Sequence, residues 1–436
     1  MRIFDWQTLD DTQRRAALAR PEPQARAEVT RVAQEVVSAV RQGGDSVVRT
    51  LTERFDGVSL EALSVTANEF AQARRKLTAA QIAALERAAR NVQAFHAAQM
   101  PQPLALQVEP GVHCEQIIRP LAAVGLYVPA GSAPLPSAVI MMGVPARIAG
   151  CPTRVLCTPP MRDGNADAAV LVAAQLCGIE QVFKAGGAQA IAALAYGTQS
   201  IPKVDKIFGP GNVWVTAAKQ LVANDPEGAA CDLPAGPSEV MVVADSTARA
   251  DFVAADLLAQ AEHDPLAQAI LVTSSRELAT QVNAAIASAL PGLKRRAILD
   301  RSLLACRCII VPDIDTAIAV ANQYASEHLL LEVEEPRRWL PTIRNAGAVF
   351  LGAWSPEPIG DYCSGANHVL PTYGHARALS GLSVGDFVKT ITVQEISAAG
   401  LLALGPTAVT LAMLEGLDAH AQAVTRRLAA LAGVPL

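Results

Sequence analysis

"LAAVGLYVP" (Leu121–Pro129) is a short apolar run that stops at a proline, and what comes after it decides how the chain reads. A helix-like segment of about ten residues follows, then "RVLCTPP" (Arg154–Pro160), "QVFKAGG" (Gln181–Gly187) and "KVDKIFG" (Lys203–Gly209), each trailed by another such segment. Parallel strands are covered on both faces and need a crossover helix, so they appear as brief continuous apolar runs spaced by helical segments. The pattern resumes with "EVMVVAD" (Glu239–Asp245), "AILVTS" (Ala269–Ser274), "CIIVPD" (Cys308–Asp313), "LLLEV" (Leu329–Val333) and "GAVFLG" (Gly347–Gly352). The Gly/Pro-rich "DLPAGPSE" (Asp232–Glu239) divides the two series. Two α/β units with a junction there are expected.

Upstream, roughly the first 115 residues read as helices with little strand signal. "AEVTRVAQEVVSAVRQGG" (Ala27–Gly44) and "TAAQIAALERAARNVQAFHAAQ" (Thr78–Gln99) carry apolar residues at helical spacing. Downstream of Gly352 the chain turns irregular in "AWSPEPIGDYCSGANHVLPTYGHA" (Ala353–Ala376), a long loop of the kind that carries function in compact enzymes. A helical tail, "TAVTLAMLEGLDAHAQAVTRRLAALAG" (Thr407–Gly433), closes it.

The 436 residues, 51% of them hydrophobic, are enough for sizeable cores in two or three domains. Only 18% are charged and the net charge is −5, which argues against a nucleic-acid partner, since phosphate binding wants clustered Lys and Arg. No apolar run is long enough to cross a bilayer. The start, "MRIFDWQTLDDTQRR", has acids and no apolar stretch, so neither a secretion signal nor a transit peptide is expected. Eight cysteines without a C-x-x-C pair suit reduced thiols in the cytoplasm. Cys306 and Cys308 read as buried strand packing.

Histidine placement is the most informative chemical feature. His96, in an amphipathic helix, and His113, in a polar turn, have no ligand-like neighbours and read as structural. His263, His328, His368, His375 and His420 fall at segment ends or in the irregular loop, where α/β proteins place sites. Gln260 and His263 stand at i, i+3 and can converge on one metal; a solvated helix end is the plain alternative. Asp361 offers a carboxylate and His420 a second imidazole, a donor set that suits zinc, although no short spacing ties the four together. Glu327 and His328 are adjacent where a helix hands over to a strand. Their side chains diverge too much for one metal and suit two separate proton-transfer duties, against a plain reading as a solvated acid and a capping histidine.

There is no G-x-G-x-x-G. Three glycine-rich turns stand instead between strand and helix: "VPAGSAPLPS" (Val128–Ser137), "KAGGAQAIAAL" (Lys184–Leu194) and "FGPGNVWVTAAK" (Phe208–Lys219). Each presents backbone N–H groups at a helix start, where a phosphate binds, so a nucleotide cleft is expected.

Taken in order, "GLYVPAGSAPLPSAVIMMGVPARIAG", "FGPGNVWVTAAK", "DLPAGPSEVMVVAD", "LLAQAEHDP", "ASEHLLLE", "GDYCSGANHVLPTYG" and "LEGLDAHAQAV" resemble the histidinol dehydrogenase family over nearly the whole chain. Ala130 and Cys231 depart from its usual residues beside the site. The resemblance implies an NAD-dependent oxidation of L-histidinol to L-histidine through L-histidinaldehyde. One zinc per subunit would be held by Gln260, His263, Asp361 and His420, with manganese left open. It implies Glu327 and His328 as the acid/base pair. Ser238, His368 and Glu415 would join the metal ligands and His328 around the substrate, and Tyr127, Gln189 and Asn212 would contact NAD.

The fold implied is α/β, two incomplete Rossmann-like units of parallel sheet in an aldehyde-dehydrogenase-like arrangement. A helical arm (1–26) precedes a discontinuous catalytic unit (27–126 with 238–382), an NAD unit (127–237) and a helical tail (383–436) that crosses to a second subunit of a homodimer with a shared site. Two other readings stand beside it. One is a thiol-dependent aldehyde dehydrogenase using Cys114, Cys157 or Cys363; the other is a non-catalytic nucleotide- or metal-binding protein.

Overall fold

The computed structural model describes residues 1–21, 26–130, 133–233 and 236–433. Gly131 and Ser132 of the first glycine-rich turn, and Pro234 and Ala235 of the junction, lie outside the described residues. In chain order the strands are β1 (Arg2–Asp5), β2 (Leu104–Glu109), β3 (Val112–Pro120), β4 (Ala123–Tyr127), β5 (Thr153–Thr158), β6 (Gln181–Lys184), β7 (Lys206–Phe208) and β8 (Ala230–Cys231). The second half adds β9 (Glu239–Ala244), β10 (Gln268–Thr273), β11 (Arg307–Ile310), β12 (His328–Glu332), β13 (Ala348–Leu351) and β14 (Val388–Ile396).

The two expected series form two parallel sheets. One runs β6-β5-β4-β7-β8, the other β1-β11-β10-β9-β12-β13. Every residue of β9 and β10 is buried, as a central parallel strand under helices on both faces requires. On one face Val253, Leu257 and Ala261 of the helix Ala250–Ala261 pack against Val240, Val242 and Leu271. On the other, Ile318, Ala321 and Tyr324 of the helix Ile314–Tyr324 meet Met241, Val243 and Leu329.

Three elements differ from the sequence reading. β1 pairs in parallel with β11 at the edge of the six-stranded sheet, so the amino-terminal arm is not purely helical. Four residues are too few for strand periodicity to register. The helices Arg26–Asp56, Ala67–Lys76 and Ala79–Ala97 pack on helices of the five-stranded sheet, whereas the family resemblance implies them in one unit with residues 238–382. Finally, β3 pairs antiparallel with β2 on one side and with β14 on the other. Residues 100–120 and 388–433 thereby form a compact unit of their own, completed by the helices Ala398–Leu414 and Asp418–Leu431. All six residues of β2 are exposed, although Leu104, Leu106 and Val108 share one face of the strand.

Candidate active site

The richest cluster of ionisable groups sits at the amino ends of β9 and β12. The helix Ile314–Tyr324, capped by the Asp313 carboxylate on the Thr316 N–H, stops at Ala325, whose φ of +58° turns the chain sharply back toward the sheet. Ser326 and Glu327 follow, and His328 opens β12 opposite Val240 and Ala348. Glu327 and His328 are 6% and 3% exposed. Both are held by the peptide of Glu239: its N–H donates to Glu327 Oε2 at 2.8 Å, and its carbonyl lies 3.1 Å from His328 Nδ1. A carbonyl only accepts, so Nδ1 carries the proton and Nε2 is the free nitrogen of the neutral ring. Glu327 Oε2 is 3.6 Å from His328 Nδ1, closer than the divergence expected of adjacent side chains. The shared hold of Glu239 brings them together.

Among the described residues, His328 Nε2 is buried without a hydrogen-bond partner, and Asp361 Oδ1 lies 3.3 Å away. Asp361 and Glu357 stand at i, i+4 on the short helix Glu357–Tyr362. Their carboxylates and one ring nitrogen of His263 all lie within 4.8 Å of one another. His263 reaches the surface just past the end of the helix Ala250–Ala261, and Gln260 is fully buried in that helix's last turn. The end of the Gln260 amide faces the Glu239 carbonyl at 3.1 Å, Glu357 Oε1 at 3.3 Å and His328 Nδ1 at 3.1 Å. Imidazole, carboxylate and amide oxygen form a borderline-to-hard donor set, and the orphaned His328 Nε2 beside it marks a place where a polar partner belongs. These residues fit a divalent ion such as zinc.

Electrostatics say the same. Burial pushes Glu327 up to about 7 and Glu357 up to about 8, in each case against the pull of His328. Burial alone would lower His328, but Glu357, Glu327 and Asp361 outweigh it and raise it to about 10. An ordinary histidine pKa therefore does not describe this ring while the carboxylates stand without a cation. Burial would raise Asp361, but contact with His328 holds it below the usual range; burial lowers His263 and His368.

His368 donates from Nδ1 to the Asp361 carbonyl at 2.8 Å, which places it against this cluster. Ser238 immediately precedes β9, and its carbonyl accepts the Gln268 N–H. Glu415 and His420 belong to the separate carboxyl-terminal unit, where both are exposed around the turn between its two helices. His96, read as structural, is fully buried: Nδ1 donates to the Val92 carbonyl and Nε2 accepts from Asn367, one residue before His368.

Tyr127, Gln189 and Asn212 gather at the carboxyl ends of the five-stranded sheet. The Tyr127 hydroxyl accepts the Gly187 N–H at 3.1 Å, and burial pushes it up to about 12. Gln189 is 2% exposed in the helix Gly187–Tyr196. Asn212 caps the helix Val213–Ala223, its side-chain oxygen accepting from the N–H groups of Trp214 and Val215. Gly209 has φ +130°, and a Cβ there would meet the Tyr127 carbonyl oxygen at 2.1 Å, so only glycine fits this turn. The turn is braced by a buried ion pair: Lys219 bonds Asp232 and the Gly209 carbonyl at 2.5 Å each, and Asp232 accepts the Gly209 N–H at 2.7 Å.

Cys151, Cys157, Cys177, Cys231, Cys306 and Cys308 are all pushed up by burial, the opposite of an activated thiol. Sequence reasoning missed Glu239 and Glu357. The i, i+4 carboxylates of "EPIGD" were a signal for the second.

A family model described as histidinol dehydrogenase matches residues 19–428. Histidinol dehydrogenase of Vibrio vulnificus (strain CMCP6) is 52% identical over 427 residues, covering 98% of both chains. That of Xanthomonas euvesicatoria pv. vesicatoria is 51% identical over 428 residues, 98% of this chain and 99% of the other. The crystal structure of histidinol dehydrogenase from Elizabethkingia anophelis superposes with a TM-score of 0.95 at 41% identity, covering 99% of this chain and 98% of that one.

Proposed function

The chain belongs to the histidinol dehydrogenase family, oxidoreductases of histidine biosynthesis, and from that premise we propose that it carries out a four-electron, NAD-dependent oxidation of L-histidinol to L-histidine. The alcohol loses a proton and a hydride to become L-histidinaldehyde. Water then adds to the aldehyde, and the hydrate loses a second hydride to give the carboxylate. Two NAD are reduced for each histidinol consumed. The observation that carries this reading is the joint hold of the Glu239 peptide on Glu327 and His328, which leaves His328 Nε2 bare beside Asp361.

His328 Nε2 takes the alcohol proton while its Nδ1–H stays fixed on the Glu239 carbonyl, so the ring cannot turn away. Glu327, at about 7, is suited to draw a proton from water during hydration of the aldehyde. Ser238 and His368 line the substrate, and Glu415 attracts its ammonium group. A zinc ion held by Gln260, His263, Asp361 and His420 would anchor the substrate's nitrogen donors and offset the carboxylates that otherwise keep His328 protonated. NAD, lying against Tyr127, Gln189 and Asn212, would accept the hydrides. His420 and Glu415 stand on the tail, and we read them as completing the site of a second subunit in a cytoplasmic homodimer. Among the described residues no helix is long and apolar enough to cross a membrane.

Purified protein given L-histidinol and NAD should form two NADH per histidinol, lose this activity to a chelator and regain it with zinc. Absence of NADH from zinc-loaded protein would sink the proposal. Mixing inactive His420→Asn and His263→Asn variants should restore part of the activity, and failure to do so would remove the shared site.

A further inference from the structure

The peptide of Glu239 orients both members of the acid/base pair, and its side chain is itself gripped from far away in the sequence. Arg20 approaches the Glu239 carboxylate with two nitrogens, Nε to Oε1 at 2.5 Å and Nη2 to Oε2 at 2.9 Å. The side chains of this pair are 15% and 3% exposed. Arg20 also donates to the Tyr324 carbonyl at 2.9 Å and lies over the Tyr324 ring at 4.0 Å. Tyr373 joins from the irregular loop: its N–H donates to Glu239 Oε1 at 3.0 Å, and its hydroxyl donates to the Pro21 carbonyl at 3.0 Å. The amino-terminal segment, β9, the end of the helix before Glu327 and the loop after His368 thus meet on one carboxylate.

We propose that Arg20 and Glu239 are positioning residues that act through the Glu239 peptide, fixing the direction of its N–H toward Glu327 and of its carbonyl toward His328. The inference rests on the functional reading above. The clamp is needed because Glu239 is the first residue of β9 and its N–H goes to the Glu327 carboxylate. A planar guanidinium on two oxygens leaves the carboxylate no rotation, which a single ammonium would allow. Neither side chain enters the reaction; both set the tautomer and the aim of groups that do.

Four proteins decide it: wild type, Arg20→Met, Arg20→Lys and the double variant Arg20→Met/Glu239→Gln, each measured for melting temperature, kcat and KM. Arg20→Met strands a buried carboxylate and should melt at least about 5 °C lower. The double variant removes both charges and should recover most of that loss. Its kcat should nonetheless remain at least about tenfold below wild type in both half-reactions, with KM for histidinol and for NAD little changed. Arg20→Lys, which keeps the charge and loses the fork, should stay folded and show the same split. Wild-type kcat in either folded variant, or a loss carried by KM, overturns the clamp. If the double variant does not fold, Arg20→Lys decides alone by the same criteria. Wild-type protein inert toward histidinol brings down the functional reading and the clamp with it, whereas an active wild type with unaffected variants refutes the clamp only.

Discussion

The carboxyl ends of the five-stranded sheet and the amino ends of the six-stranded sheet are electrostatic opposites. At the first, the helices Gly187–Tyr196 and Val213–Ala223 begin, so the positive ends of their dipoles lie at this edge, with the Gly187, Trp214 and Val215 N–H groups engaged by Tyr127 and Asn212. Both lysines there are paired with carboxylates, Lys219 with Asp232 and Lys184 with Glu69. At the second, the helix Ala250–Ala261 ends, presenting carbonyls, and Glu327, Glu357 and Asp361 crowd two histidines while Arg20 is committed to Glu239. Helix starts favour anions and helix ends favour cations. The lesson is that the end of the helix turned toward a parallel sheet's edge selects the charge of what binds there. On the function proposed above, one edge would take the phosphates of the dinucleotide and the other the metal ion and its diamine-like substrate.

The sharpest way to break this contrast is to remove a proton carrier from the crowded edge. His328→Asn should cost about a thousandfold in kcat with little change in melting temperature. Glu327→Gln should spare the first oxidation far more than the second, which stopped-flow of the two half-reactions would separate. Equal damage to both would abolish the division of labour. At the other edge the consequence reverses. Lys219→Met strands Asp232 and should destabilise the fold by about 3–5 kcal/mol in denaturant titration, while the chemistry of the remaining folded molecules survives. A variant that is stable but inert would show that Lys219 takes part in the reaction.

The smallest effect tests whether the carboxylate surplus is real. Asp256, 5% exposed in the helix that carries Gln260, is pushed up to about 7 by burial and then by Glu332. The folded form therefore holds its proton where the unfolded chain has released it, so this group's contribution to stability declines as pH rises from about 4 to about 7. Asp256→Asn should be stabilising by roughly 2 kcal/mol at pH 8 and close to neutral at pH 4. A stability difference independent of pH would place the group in contact with a cation.

Both sheets were legible because buried parallel strands announce themselves as unbroken apolar runs. That Gln260 and His263 fall at the end of one helix was legible too, since helical periodicity is local. What escaped depends on contacts between distant segments. Arg20 meets Glu239 across 219 positions, and no window of sequence holds both. Nor could the amino-end location of the acid/base pair be read, because it follows from which strands become neighbours: β12 lies beside β9 although two strands separate them in the chain. β2 does alternate, Leu104, Leu106 and Val108 against Gln107 and Glu109, but the pattern predicts a buried face and all six residues are exposed. His96 looked bland because its partner, Asn367, is 271 residues away.

Ala325 and Tyr373 both hold φ near +55°, a left-handed geometry that side chains resist by about 1–2 kcal/mol each. The Ala325 carbonyl is touched by Arg20 and the Tyr373 amide is tied to Glu239, so one latch keeps two cocked turns in place. Springing it would let them snap back together. Harm to this corner of the protein should consequently arrive as a jump between two backbone shapes, visible as paired resonances or split density, instead of a gradual softening.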